Sequence, residues 1–281
     1  MTTRRFAQVD VFSTVPVRGN PVAVVLDAEG MTDEQMASFA RWTNLSETTF
    51  VLPPSDPAAD YRLRIFTPSG ELPFAGHPTL GSAHAWLEAG GVPSGDRIVQ
   101  ECGVGLVSIR SEQGRLAFVA PPRIRSGPVD EATVRSVADA LGLDPDEVIA
   151  AEWVSNGPDF LALLLPSGGR VLKVRPDMAA LGTHDVGLIG PYSGGLPDEP
   201  EVLFEVRAFV PGSGIPEDPV TGSLNAGLAV WLRQAGRAPA GYVTAQGTAL
   251  DRAGRVHVSD DGTDIWVGGA TTTVIAGTVV L

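Results

Sequence analysis

Glu47 is the carboxylate of this chain whose setting invites proton chemistry. It lies in a polar knot, Asn44-Leu45-Ser46-Glu47-Thr48-Thr49, between an amphipathic helix pattern and the apolar pair Phe50-Val51. A carboxyl group held against apolar surroundings is desolvated. Its pKa rises toward the range where it can take and return a proton near neutrality. Two further polar groups recur in a repeated setting. Residues 64–87 read RIFTPSGELPFAGHPTLGSAHAWL, and residues 206–232 read VRAFVPGSGIPEDPVTGSLNAGLAVWL. Both run Arg-x-Phe-x-Pro, then a Gly/Ser/Pro loop. His77 or Asp218 follows, then Pro-x-x-Gly-Ser-x-x-Ala and an apolar segment. Matches in this order, with the same flanks, argue for one supersecondary unit built twice.

Each copy reads as strand, loop and helix. Pro68 and Pro211 end the strands, because proline cannot donate to a sheet ladder. Pro78 and Pro219 suit a first helical turn, which puts His77 and Asp218 at the N-caps. The segments behind them are apolar almost all round, as expected of a buried helix. A Gly/Ser-rich helix start leaves backbone N–H groups in need of a partner. Two such ends facing each other would hold an anionic group, with His77 and Asp218 relaying protons or orienting a polar substrate. The same residues admit structural roles. Glu47 could be a turn or cap partner, His77 and Asp218 plain caps, and Ser82 packing.

Composition excludes several classes. The net charge of −13 opposes a general role on nucleic acid or anionic membranes. No 18-residue apolar run predicts a membrane span, and the start MTTRRFAQVDVF lacks a signal-peptide core. Cys102, the single cysteine, cannot form an internal disulfide, so a cytoplasmic protein is expected. Lys173 is the single lysine, and Schiff-base chemistry would have to use it. P-loop, Rossmann and nucleophile-elbow signatures are missing. His84, His184 and His257 lack metal-ligand spacing with acidic or cysteine partners. No metal or organic cofactor is expected.

The elements that must position these groups follow from pattern. Strands are predicted at residues 6–12, 21–26, 61–66, 99–109, 116–119, 159–165, 202–209, 243–246, 255–258, 265–268 and 271–281. Thr32-x-x-Gln35 reads as a capping box opening a helix to about Trp42. Asp130 to Leu141 is an amphipathic helix that appears as the counterpart of the Thr32 helix. Met178 to Leu181 is a helical turn, and residues 187–200 read as glycine- and proline-rich loop. Pro121-Pro122 reads as a linker. The order predicts an α+β fold of two pseudo-symmetric domains, each a curved, barrel-like, mixed or antiparallel sheet around a central buried helix. The domains are residues 1–120, completed by the C-terminal strand 271–281, and residues 121–270.

Four stretches, QVDVFSTVPVRGNPVAVVLDAEGM, NLSETTFV, RIFTPSGELPFAGHPTLGSAHA and GIPEDPVTGSLNAG, resemble the PhzF-like family of phenazine-biosynthesis isomerases. The resemblance covers essentially the whole chain. It implies the diaminopimelate-epimerase fold, an active site in the cleft between the domains, a homodimer and cofactor-free acid–base chemistry. The family's general acid/base glutamate falls on Glu47. Its other site residues fall on Gly76, His77, Asp218, Gly222 and Ser223. Racemases of this fold use a cysteine at each helix N-terminus. Here those places carry Gly76-His77 and Thr221-Gly222, so two-thiol racemisation is excluded by residue type. The family commonly has Gln-Gly followed by Gly-Arg-Pro, whereas this chain has Gln246-Gly247 and then Asp251-Arg252-Ala253. The resemblance therefore carries no substrate identity.

The expectation is an isomerase of a small carboxylated metabolite in natural-product biosynthesis. Glu47 is the proton shuttle, and His77 and Asp218 assist. Gly76, Gly222 and Ser223 bind the substrate. An epimerase or lyase with the same base, and a non-catalytic metabolite-binding protein, are the alternatives.

Overall fold

The computed structural model describes residues 1–212 and 215–281. It divides into two compact units, one made of Met1–Val119 with Gly268–Leu281 and the other of Ala120–Val267. The first unit begins with β1 (Thr3–Val11) and β2 (Asn20–Val25), then α1 (Asp33–Thr43). β3 (Thr48–Leu52), β4 (Tyr61–Phe66) and β5 (Glu71–Leu72) lead into α2 (Gly76–Glu88). β6 (Ile98–Cys102), β7 (Gly105–Glu112) and β8 (Arg115–Val119) follow.

The second unit contains β9 (Arg125–Pro128), α3 (Glu131–Ala140), β10 (Ala150–Ser155) and β11 (Phe160–Leu164). Next come α4 (Gly168–Lys173), α5 (Met178–Leu181), β12 (Asp185–Pro191), β13 (Val202–Phe209) and β14 (Glu217–Asp218). α6 (Gly222–Gln234), β15 (Gly241–Gln246), β16 (Gly254–Asp260) and the first residues of β17 (Ile265–Gly269) complete it. The last strand, β18 (Thr271–Val280), pairs antiparallel with β1 and so returns to the first unit.

The two units repeat one pairing scheme. In the first, β1/β2 is antiparallel, β2/β3 parallel, β3/β4 antiparallel, β4/β5 antiparallel, β4/β6 parallel and β6/β7 antiparallel. In the second, β10/β11, β11/β12, β12/β13, β13/β14, β13/β15 and β15/β16 give the same series. α2 touches β1, β2, β3, β4, β6, β8 and β18, so the first sheet curves round it. α6 packs on β10 and β16 of its own unit. Both helices are buried over most of their length, which removes the need for a polar face. The architecture is α+β, a curved mixed sheet around a buried helix in each unit.

Burial on both faces explains the apolar run of β11. Phe160, Ala162 and Leu164 join the core around α6, whereas Leu161, Leu163 and Leu165 join a second core with α3, α4 and α5. A strand buried on both faces has no polar alternation.

Three expectations are corrected. α3 precedes β10, so it is not the counterpart of the Thr32 helix. α1 lies between β2 and β3, the place taken in the second unit by α4 and α5 between β11 and β12. Shared caps and amphipathicity do not encode order in the chain. Residues 99–109 form two strands, because the chain turns between Cys102 and Gly105, whose φ is 100°. The 187–200 stretch is strand as far as Pro191. Its glycines serve packing: a Cβ on Gly187 would lie 2.5 Å from Leu224, and one on Gly190 would lie 2.4 Å from the Ser167 carbonyl.

Candidate active site

Glu47 and His77 come together within the first unit. α1 ends at Asn44, which turns the chain in the left-handed region at φ 53°. Glu47 then sits immediately before β3, and three hydroxyl contacts fix that strand start. Thr43 Oγ1 lies 2.7 Å from Thr48 Oγ1, Thr49 Oγ1 donates to the Ala23 carbonyl at 3.2 Å, and Ser82 Oγ of α2 donates to Thr49 Oγ1 at 2.8 Å. Ser82 therefore ties the helix carrying His77 to the strand following Glu47.

His77 Nε2 lies 3.3 Å from Glu47 Oε2, with 3% and 14% of the two side chains exposed. On its other edge, His77 Nδ1 is 3.2 Å from Asn20 Nδ2. Burial pushes the imidazole down to about 3, against the weaker opposing pull of the Pro21 carbonyl. The ring is accordingly neutral at neutral pH, and its contact with Glu47 is a polar contact rather than an ion pair. At 3.3 Å it is looser than a formed hydrogen bond, as contacts in unliganded sites often are.

Neither His77 nor Asp218 caps a helix, contrary to the sequence expectation. The N-caps are Ala75 and Thr221, and neither supplies a side-chain cap. α2 starts two residues before Pro78, which occupies a first-turn position where its missing N–H is harmless. α6 starts only at Gly222, because Glu217 and Asp218 remain paired to Phe209 and Ala208.

The two copies are therefore registered differently in structure than in motif. Phe66 pairs with Glu71 as Phe209 pairs with Glu217. Gly76-His77 opens α2 as Gly222-Ser223 opens α6. Ser223, not Asp218, takes the place of His77, and the counterpart of Asp218 is Leu72. The Arg-x-Phe residues mark the same base in each copy. Arg64 is bidentate to Glu71 at 2.8 and 2.7 Å, and Arg207 to Glu217 at 2.8 and 2.7 Å. The second pair is buried and also donates to the Val174 carbonyl at 2.7 Å.

Within the second unit, Asp218 and Ser223 belong to a largely buried network that sequence reasoning missed, and Gly222 opens α6 beside it. Thr221 Oγ1 donates to Asp218 Oδ2 at 2.5 Å. Gln246 does what a cap residue would do. Its Oε1 accepts from the Thr221 N–H at 3.0 Å and from Asn225 Nδ2 at 2.8 Å. Its Nε2 donates to Thr221 Oγ1 at 2.9 Å and to the Asp218 carbonyl at 3.2 Å. Asn225 accepts from Thr244 at 2.7 Å, and Asn156 Nδ2 donates to the Ser223 carbonyl at 2.9 Å. Polar residues inside the apolar helix and strand, Asn225 and Gln246, were the available signal. The Asp251-Arg252-Ala253 departure forms a tight turn packed on this network. A Cβ on Gly247 would lie 2.7 Å from both the Pro219 carbonyl and Arg252 Cβ.

The remaining candidates lie elsewhere. His84 contacts Thr271, Thr273 and Glu88, and Lys173 is exposed at the end of α4. Burial raises the Cys102 thiol above its ordinary value, which disfavours the thiolate. Among the described residues no group of three or more His, Cys, Asp or Glu could hold a metal ion. No helix among them is long and apolar enough to cross a membrane.

Comparison with known proteins settles the family. Residues 9–277 match the phenazine biosynthesis-like protein family, PhzC-PhzF. The chain belongs to that family. It is 36% identical to Antisense-enhancing sequence 1 of Schizosaccharomyces pombe, covering 99% of each protein. It is 35% identical to trans-2,3-dihydro-3-hydroxyanthranilate isomerase of Pseudomonas chlororaphis, covering 97% of this chain and 98% of that one. A PhzF family protein from Enterococcus faecalis superposes with a TM-score of 0.80 at 25% identity over the whole of both chains. This PhzF-type protein is accordingly an enzyme of the isomerase class.

Proposed function

We propose that this PhzF-type isomerase moves a proton and a double bond within a small unsaturated carboxylate, by general acid/base catalysis without a cofactor, in secondary metabolism. The observation that carries the reading is the Glu47–His77 contact of 3.3 Å in a nearly closed setting. Glu47 as carboxylate removes a proton from an activated carbon, and the electron pair delocalises over the adjoining double bonds. Glu47 as carboxylic acid then returns the proton to the far end of the same system, so substrate and product are isomers. His77 is neutral, so it serves as a polar partner of Glu47 and not as a competing cation. Asp218, Gly222 and Ser223 are assigned to binding: the N-cap Thr221 gives α6 no side-chain cap of its own, and the N–H groups that follow it suit a substrate carboxylate.

The relative from Pseudomonas chlororaphis acts, by its name, on trans-2,3-dihydro-3-hydroxyanthranilate, a carboxylate of this class. That compound and a panel of small unsaturated carboxylates should be incubated with the protein, and isomerisation followed by NMR. Glu47→Gln keeps the shape but cannot exchange protons, so it should abolish turnover while substrate affinity stays within about tenfold. Near-normal turnover in that variant would remove Glu47 from the mechanism.

A further inference from the structure

Asn20 opens β2 and is fully buried. Its seat is rigid. Asp10 Oδ2 accepts from the Arg18 N–H at 3.0 Å and from the Gly19 N–H at 2.9 Å, immediately before it. A Cβ on Gly19 would lie 2.1 Å from the Val11 carbonyl oxygen, so the chain passes here with no room for a side chain. From this seat Asn20 presents Nδ2 to His77 Nδ1 at 3.2 Å. A side-chain amide nitrogen only donates, so the ring nitrogen facing it must accept. With Nδ1 accepting, the one N–H of the neutral imidazole resides on Nε2, the atom 3.3 Å from Glu47 Oε2, and the Pro21 carbonyl is the acceptor that competes with Glu47 for the ring proton.

We propose that Asn20 is a positioning residue that holds His77 as its Nε2–H tautomer, so that the imidazole presents an N–H, not a lone pair, to Glu47. The inference deepens the acid/base reading above and rests on it for its consequence, though not for its test. As donor, His77 favours Glu47 as carboxylate, the form that removes the substrate proton. With Nε2 already protonated, the ring cannot take the proton itself. Base and donor roles are thereby separated through the Asn20 amide.

The test is the tautomer. Full-length protein labelled with nitrogen-15 in histidine should show, at neutral pH, His77 with unprotonated Nδ1 and protonated Nε2. A His77→Gln spectrum assigns the signals. In Asn20→Asp a carboxylate, which only accepts, faces Nδ1. His77 should become Nδ1-protonated there, and kcat should fall at least about tenfold with KM little changed. A wild-type ring protonated on Nδ1 overturns the proposal. So does a folded Asn20→Asp protein whose His77 signals keep the wild-type pattern. If Asn20→Asp fails to fold, the wild-type spectrum alone still decides. The spectrum reads the ring whether or not Glu47 moves protons. Retained turnover in Glu47→Gln would therefore sink the acid/base reading and leave the tautomer assignment standing.

Discussion

Ser82 on α2 donates its hydroxyl hydrogen to Thr49 Oγ1 on β3 across 2.8 Å, and both residues are fully buried. This bond joins the helix that carries His77 to the strand that begins one residue after Glu47. Ser82→Ala removes it and leaves Thr49 still bonded to the Ala23 carbonyl. The variant should lose about 1 kcal/mol of stability. Its turnover should fall more than that loss of folded protein explains, because the Glu47–His77 spacing is no longer tied. Denaturant titration and steady-state kinetics on one preparation check this. Unchanged kinetics would make the bond purely structural.

Gly81 and Gly227 occupy the same turn of α2 and α6. A Cβ on Gly81 would lie 2.4 Å from Val22 Cγ1, and one on Gly227 would lie 2.2 Å from the Val154 carbonyl oxygen. In an exposed helix interior Gly→Ala stabilises by roughly 1 kcal/mol. Here the sign should reverse, with overpacking costing about 1–3 kcal/mol net. Gly227→Ala should be the worse, because backbone yields less than a valine methyl. Thermal unfolding of the two variants is the measurement, and a rise in Tm for either would contradict the packing argument.

Glu205, fully buried on β13, accepts from Tyr192 Oη at 2.7 Å. Burial pushes its carboxyl from 4.5 up to about 7, while Tyr192, Thr248, Arg255 and Arg207 pull the other way. The folded state therefore holds this proton more tightly than the unfolded chain. The stability it contributes is fully present below pH 4.5 and is lost as pH rises to about 7. His77 has the opposite sign: its contribution is present above pH 6.5 and is lost as pH falls toward 3. Glu205→Gln keeps an acceptor for Tyr192 and should flatten the loss between pH 4.5 and 7. At pH 8 the variant should be the more stable by at most about 3 kcal/mol. An unaltered pH–stability curve would refute this.

Gln246 and Asp218 should separate folding from function. Gln246→Leu strands the Thr221 N–H in the interior, at about 1–3 kcal/mol, and takes from Asn225 Nδ2 one of its two acceptors, the Thr221 carbonyl remaining. Asp218→Ala removes an acceptor of Thr221 Oγ1 from a half-buried position, while the Gln246 bonds persist. Its stability should change by about 1 kcal/mol, and kcat/KM should fall well beyond that. Equal losses in both assays would make Asp218 structural.

Much of this was legible in the sequence. The capping box at Thr32 and Gln35, the strand at Tyr61–Phe66 and the amphipathic helix from Asp130 follow from local rules. The buried character of α2 and α6 was legible because it fills a whole segment. The helix starts were not, since they depend on a sheet partner for Asp218 and a distant amide, Gln246, and neither is local. Motif matching consequently equated His77 with Asp218, whereas the backbone equates it with Ser223. Asn20 escaped for a similar reason: the partner that gives it meaning is 57 residues away.

The arginine–glutamate clamps carry a consequence for how such enzymes diversify. Arg64 and Glu71 are 7 residues apart, and Arg207 and Glu217 are 10 apart, yet each pair closes the same strand-to-strand base. Three added residues have left the pairing series and the helix behind them intact. The clamp thus isolates the scaffold from whatever is spliced between its two charges. A segment anchored this way differs in length and composition between the two copies while the frame of strands and helix around it stays the same.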